Sequence, residues 1–151
     1  MGTLTPEARR VVDEQRLGFV ATVNEDGTPN LSPKGTVAVL DDDHLVFADI
    51  RSPRTVENLR QRPAAEINVI DPILRKGYRS RGTATVVDSG PRFDELVAFY
   101  RARASTSLAE AFVVIRVDSA EPVLSPSYDQ GQTEPELRDR WKRHFAALHG
   151  E

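Results

Sequence analysis

The sequence predicts a mainly β fold with flanking helices, a six-stranded antiparallel barrel that is closed or partly split. Three observations predict it. Short apolar runs alternate with hairpin-type turn signals. No strand–helix–strand rhythm runs through the chain, which argues against a parallel sheet. Several strand candidates carry apolar residues on both faces, which favours a barrel over a sandwich.

The elements follow in order. Thr5-Pro6 reads as an N-cap with proline in the first turn, opening a helix to about Gln15. Leu17–Val23 is the first strand, and Asn24-Glu25-Asp26-Gly27 carries an Asp-Gly hairpin signal. Asn30–Leu40 reads as one continuous second strand, with Pro33 marking an edge or a bulge in its first half. After Asp41-Asp42-Asp43, His44–Ile50 is the third strand. Ser52-Pro53 opens a helix, with serine as its cap, that runs to about Gln61 before Pro63. Glu66–Asp71 and Tyr78–Asp88 are the fourth and fifth strands, the latter alternating Gly82, Ala84 and Val86 with Arg81, Thr83 and Thr85. Pro91–Arg103 is a helix with Phe93, Leu96, Val97 and Tyr100 on one stripe. Ala111–Asp118 is the sixth strand, and Thr133 with Glu136 forms a capping box before Leu137, Trp141, Phe145 and Leu148. One domain over 1–151 is expected, with a helical tail from about 125.

Composition narrows the functions. At 39% hydrophobic and 28% charged residues, the chain has the balance of a soluble globular protein. It has no cysteine, which removes thiol nucleophiles, disulfide frameworks and cysteine-ligated metal sites. The apolar runs are too short to span a bilayer and Met1 to Arg16 is too polar for a signal peptide, so a cytoplasmic protein is expected. A net charge of −3 argues against nucleic acid as the main partner. Residues 51–81 nevertheless carry eight Arg or Lys against three acids. Such an island suits a small anionic ligand, or else it is a set of solvated surface arginines.

The chain has no GxSxG, no phosphate-binding Gly-rich loop and no GxGxxG, and its three histidines lack metal-ligand spacing. Two segments remain. In Arg51-Ser52-Pro53-Arg54-Thr55, first-turn N–H groups, the Ser52 and Thr55 hydroxyls and the Arg54 guanidinium converge where a phosphate monoester could sit. The bland alternative is a capped helix with solvated arginines. In Asn30-Leu31-Ser32-Pro33-Lys34-Gly35-Thr36, Gly35 leaves room for a flat ligand and Lys34 could project toward it. The alternative there is an ordinary bulge with a surface lysine.

The block ATVNEDGTPNLSPKGTVAVLDDDHLVFADIRSPRTVENLRQRPAAEINVI, continued by GYRSRGTATVVDSGP and AFVVIRVDSAEPV, resembles the FMN-binding split-barrel superfamily, the pyridoxamine 5′-phosphate oxidase-like proteins. The resemblance spans about residues 15–123 and rests on the order and spacing of its motifs. It implies a homodimer with flavin mononucleotide (FMN) in a groove between protomers and an oxidoreductase acting on a small substrate. Ser52, Arg54 and Thr55 would take the phosphate. Ser32, Pro33, Lys34, Gly35 and Thr36, with Ala48 and Asp49, would line the ring and ribityl chain, while Lys76 and Arg79 approach from the other subunit. A non-catalytic electron carrier or sensor, and a relative that uses deazaflavin or haem, are the alternatives; haem ordinarily wants an axial ligand, and no histidine is obviously placed for it. The family's C-terminal substrate-binding Arg and His segment has no counterpart in the tail, so vitamin B6 oxidation is not implied. Packing is expected of that tail; the sharper expectation is that Tyr128, Asp129 or Trp141 covers a flavin.

Overall fold

The structure is a computed structural model and describes residues 2–103 and 108–150. Along the chain the elements run α1 (Pro6–Gln15), β1 (Gly18–Val23), β2 (Pro29–Lys34), β3 (Ala38–Asp41), β4 (His44–Asp49) and α2 (Pro53–Gln61). They continue as β5 (Ala64–Asp71), β6 (Lys76–Val87), α3 (Gly90–Ala102), β7 (Ala111–Leu124), α4 (Pro126–Asp129) and α5 (Glu134–Leu148). All pairings are antiparallel, in one sheet ordered β2-β1-β5-β6-β7-β4-β3.

This order corrects the sequence reading in one respect: the sheet has seven strands, not six. The run read as a single second strand is two strands at opposite edges of the sheet, β2 on β1 and β3 on β4. Residues 35–37 carry the chain across the split between those edges. Two contacts pin the crossing. The Thr36 hydroxyl accepts the Ala48 N–H of β4 at 2.9 Å, and the Tyr100 hydroxyl of α3 donates to the Thr36 carbonyl at 2.7 Å. Pro33 causes no bulge: the β1–β2 register runs unbroken from Gly18↔Lys34 to Val23↔Pro29. It is tolerated because β2 is an edge strand, where a missing N–H costs no ladder bond.

Two apolar clusters hold the barrel. The interior joins Val20, Leu45, Phe47, Ile67, Val113 and Ile115, closed at one end by Leu4, Val11 and Val12 of the α1 region. The second lies outside β3, β4 and β7, where Ala38, Val46, Ala48, Phe112 and Val114 meet Leu96 and Tyr100 of α3. Tyr100 stacks on Phe112 at 5.3 Å between ring centroids. That double coverage explains why β4 is buried along nearly its whole length. β7 runs to Leu124, beyond the expected end at Asp118, because β6 pairs with it all the way from Val87 to Lys76. Gly82 permits this, since a Cβ there would stand 2.0 Å from the Arg116 carbonyl oxygen.

The tail docks on the β5–β6 turn. The Tyr128 hydroxyl donates to the Leu74 carbonyl at 2.5 Å, the Arg75 guanidinium lies 3.4 Å from the centroid of the Trp141 ring, and Leu137 is fully buried. Tyr128 and Trp141 thus pack against their own chain. Among the described residues no helix is long and apolar enough to cross a membrane.

Candidate functional site

Period-two alternation decides what β2 offers. Asn30, Ser32 and Lys34 share one face, turned toward α2, while Leu31 and Pro33 point to the other, exposed face. Lys34 is only 6% exposed. Its Nζ donates to the Ser32 hydroxyl at 3.0 Å and to the Ser52 hydroxyl, and stands 5.9 Å from the centroid of the Phe47 ring. Burial draws the Lys34 ammonium below the ordinary lysine value, and the Asp49 carboxylate opposes that shift. Asp49, also buried, accepts the Ser52 N–H at 2.9 Å and so shapes the turn between β4 and α2.

Ser52 stands at the N-cap position of α2, but its side chain makes no cap hydrogen bond. The serine cap expected from sequence is therefore corrected: the Lys34 ammonium holds the Ser52 hydroxyl instead. Pro53 occupies the first helical position, so the N–H groups of Arg54 and Thr55 are the ones left without an intrahelical partner. Arg54 is exposed and makes no ion pair among the described residues. Thr55 is buried at 1% exposure, its hydroxyl accepting from Asn30 Nδ2 at 3.3 Å.

Beneath this turn lies a polar network that the sequence reading missed. The Thr22 hydroxyl accepts from Asn58 Nδ2 at 3.0 Å and from Asn30 Nδ2 at 3.4 Å. Asn58 also donates to Asn24 Oδ1 at 2.9 Å, and Arg62 Nε donates to the Val23 carbonyl at 2.9 Å. Thr22 at an inward position of an otherwise apolar strand was the available signal; its partner Asn58 is set by the docking of α2. A polar depression of about 890 Å³ runs along the solvent side of α2, with Arg54, Asn58 and Arg62 on one wall and Asn24, Asp26 and Thr28 of the hairpin on the other. A smaller one, about 210 Å³, is bounded by Arg16, Gly35, Thr36, Tyr100 and Arg103.

The structure thus brings together Ser32, Lys34, Ser52 and Asp49 directly, with Thr55 and Arg54 on the adjoining helical turn. Thr36 and Ala48 are joined by their own hydrogen bond, and a Cβ at Gly35 would meet only the Arg16 carbonyl oxygen, at 4.0 Å. Pro33 faces away from Ser32 and Lys34. Lys76 and Arg79 lie on β6, three strands from β2, roughly 14 Å at ordinary strand spacing. Their charges are engaged there: Lys76 with Glu134 and, at 3.9 Å, Glu7, and Arg79 with Glu66 at 3.0 Å. Within one chain they do not join the cluster. N–H donors without a partner among the described residues, a guanidinium without an ion pair among them, and hydroxyls held by Lys34 and Asn30 have the hydrogen-bond sense that suits a phosphate monoester. Among the described residues no cluster of side chains could hold a metal ion.

Comparison with known proteins bears on the fold and the family. Residues 4–125 match the profile of the family described as pyridoxamine 5′-phosphate oxidase. The fold is similar to that of HupZ from Group A Streptococcus, at 26% identity and a TM-score of 0.72 over 80% of this chain and 94% of that one. It is similar also to an FMN-binding protein from Syntrophomonas wolfei subsp. wolfei, at 18% identity and a TM-score of 0.67 over 81% and 87%. An F420 reductase aligns at 22% identity and a TM-score of 0.58 over 78% and 98%. No curated protein matches the chain. The profile covers every strand of the barrel and both segments of the polar cluster; the chain belongs to the pyridoxamine 5′-phosphate oxidase family.

Proposed function

We propose that this protein binds FMN and, as a homodimer, passes electrons or hydride through it to a small substrate. One observation carries the reading: the first turn of α2 holds, among the described residues, two N–H groups without a hydrogen-bond partner, an Arg54 guanidinium without an ion pair, and the Ser52 and Thr55 hydroxyls. That donor set matches a phosphate monoester in charge and hydrogen-bond sense. The adjoining Ser32, Gly35 and Thr36, together with Ala48 and Asp49, would hold the ribityl chain and the ring. Bound flavin supplies the redox chemistry, and the protein contributes orientation and electrostatics. No side chain in the cluster has the pairing of a general acid–base dyad, which accords with chemistry carried by a cofactor.

The dimer reading is supported by the outer face of β2, β1 and β5. Leu31 is 66% exposed, Phe19 43% and Val23 40%. Cross-strand register sets Pro33, Phe19, Asn68 and Arg79 abreast on that face, and Asn68 Oδ1 is buried without a hydrogen-bond partner. A second copy seated there would cover the apolar residues and bring Arg79 toward the partner's flavin, while Lys76, three residues earlier on β6, points to the opposite face.

The test is an absorption spectrum of purified protein before and after FMN addition, followed by gel filtration. Flavin bands co-eluting with a dimer support the reading, and steady-state NAD(P)H consumption then separates an enzyme from an electron carrier. A colourless protein that refuses FMN overturns it. Deazaflavin is the second reading, favoured by the likeness to an F420 reductase. Titration with F420 in the same assay decides between them.

A further inference from the structure

Resting on the phosphate reading above, we propose that Lys34 and Asn30 are positioning residues that fix the Ser52 and Thr55 hydroxyls as donors to a phosphate dianion, so that Lys34 serves the phosphate end of the site and not the redox ring. A hydroxyl owns one hydrogen and can both donate and accept, whereas a phosphate dianion only accepts. A free hydroxyl rotor therefore spends part of its time with the wrong sense toward such a ligand. An ammonium is a donor only. With Lys34 Nζ donating to the Ser52 oxygen, the Ser52 hydrogen points away from Lys34. Asn30 Nδ2, donating to the Thr55 oxygen at 3.3 Å, does the same one helical turn further on.

Both donors come from one strand, at alternating positions of the face turned toward α2. A lysine on an edge strand ordinarily extends its ammonium into water. Lys34 instead lies buried at 6% exposure, with no carboxylate within ion-pair distance of its nitrogen among the described residues. Asp49, whose charge it feels, is turned to the Ser52 N–H. A buried cation held on two serine hydroxyls, with Asp49 acting on it only beyond ion-pair distance, is partly compensated until an anion arrives beyond them. The position of the ammonium between Ser32 and Ser52 puts that anion on the α2 side.

The experiment measures FMN, riboflavin and inorganic phosphate binding to the wild type and to Lys34→Met, Ser52→Ala, the double variant and Asn30→Ala. Loss of one charge-assisted interaction corresponds to about tenfold weaker FMN binding in Lys34→Met. Riboflavin binding and the midpoint potential of bound flavin are expected to hold, and Lys34→Met is expected to add little in the Ser52→Ala background. A general structural defect would weaken both flavins alike and would add to Ser52→Ala. Equal losses for FMN and riboflavin, or a drop in the midpoint potential, overturn the proposal. If Lys34→Met fails to fold, Asn30→Ala reads the same FMN-to-riboflavin ratio through Thr55; a ratio unchanged from wild type overturns it. If the wild type binds neither flavin, the FMN reading fails. Inorganic phosphate then decides: protection against thermal unfolding that shrinks in the variants supports the positioning role, and equal protection overturns it.

Discussion

The two halves of the basic island, 51–62 and 75–81, carry similar sequence charge and use it in opposite ways. At the second half, Lys76 is held by Glu134 and Glu7, Arg79 and Arg81 share Glu66, and Arg75 lies on the Trp141 ring. At the first half only Arg60 has an acidic partner, Asp88, while Arg51 and Arg54 have none among the described residues. A cation already answered by its own chain contributes to architecture; one left unanswered beside open helix N–H groups is available to a ligand. Charge density along a sequence does not separate the two cases, and cross-strand neighbours do.

Four experiments sharpen or break that contrast. The largest effect is expected from Leu31→Asp, which puts a charge on the exposed apolar face. Light scattering should report a monomer, with FMN retention falling in parallel; a monomer that keeps full FMN affinity would confine the site to one chain and remove Arg79 from it. Next is Arg54→Ala, for which FMN affinity should fall by about 1.5–3 kcal/mol, roughly ten- to a hundredfold, while melting of the unliganded protein barely moves. Arg79→Ala should be milder, about threefold on FMN in the dimer, since its exposed ion pair with Glu66 competes for the same charge. No change in calorimetric titration would leave Arg79 a purely structural cation.

The smallest effect belongs to the tail. The Lys76 ammonium holds the Glu134 carboxyl below the ordinary glutamate range, and the Glu134 hydrogen bond raises Lys76. The stabilisation from Glu134 is therefore complete above its unfolded value and is lost as pH falls through the lower folded one. That from Lys76 is complete below the ordinary lysine value and is lost as pH rises through the raised one. Both groups lie near solvent, so screening limits the pair to under about 1 kcal/mol. Trp141 is the chain's single tryptophan and reports tail docking directly. Its fluorescence should change in acid before the barrel unfolds, and in Glu134→Gln that acid transition should disappear.

What was legible in the sequence was local. Thr5-Pro6 and the Thr133/Glu136 box start helices through contacts a few residues apart, and both form as read. The Asp-Gly turn likewise makes its hairpin, with Gly27 at φ 85°. What was not legible depended on partners distant in sequence. Asn30 to Leu40 looks continuous, yet its halves pair with β1 and β4 at opposite edges. Ser52 looks like a cap, yet a lysine eighteen residues earlier takes its hydroxyl. Lys34, Ser52, Arg54 and Thr55 were singled out by residue type, and Ser32 by the family resemblance. Asn30 and Asn58 were missed because single amides carry no pattern until helix and sheet meet.

The crossing at residues 35–37 also bears on access. Among the described residues no ladder joins β2 to β3, so parting these edges would leave every strand pairing of the sheet in place. An opening along that line would strain the two contacts at Thr36, on the flank where Gly35 offers no side chain in the way. Amide protons of β2 and β3 should accordingly exchange with solvent well before those of β6 and β7, and a planar guest spanning the two edges would slow them most.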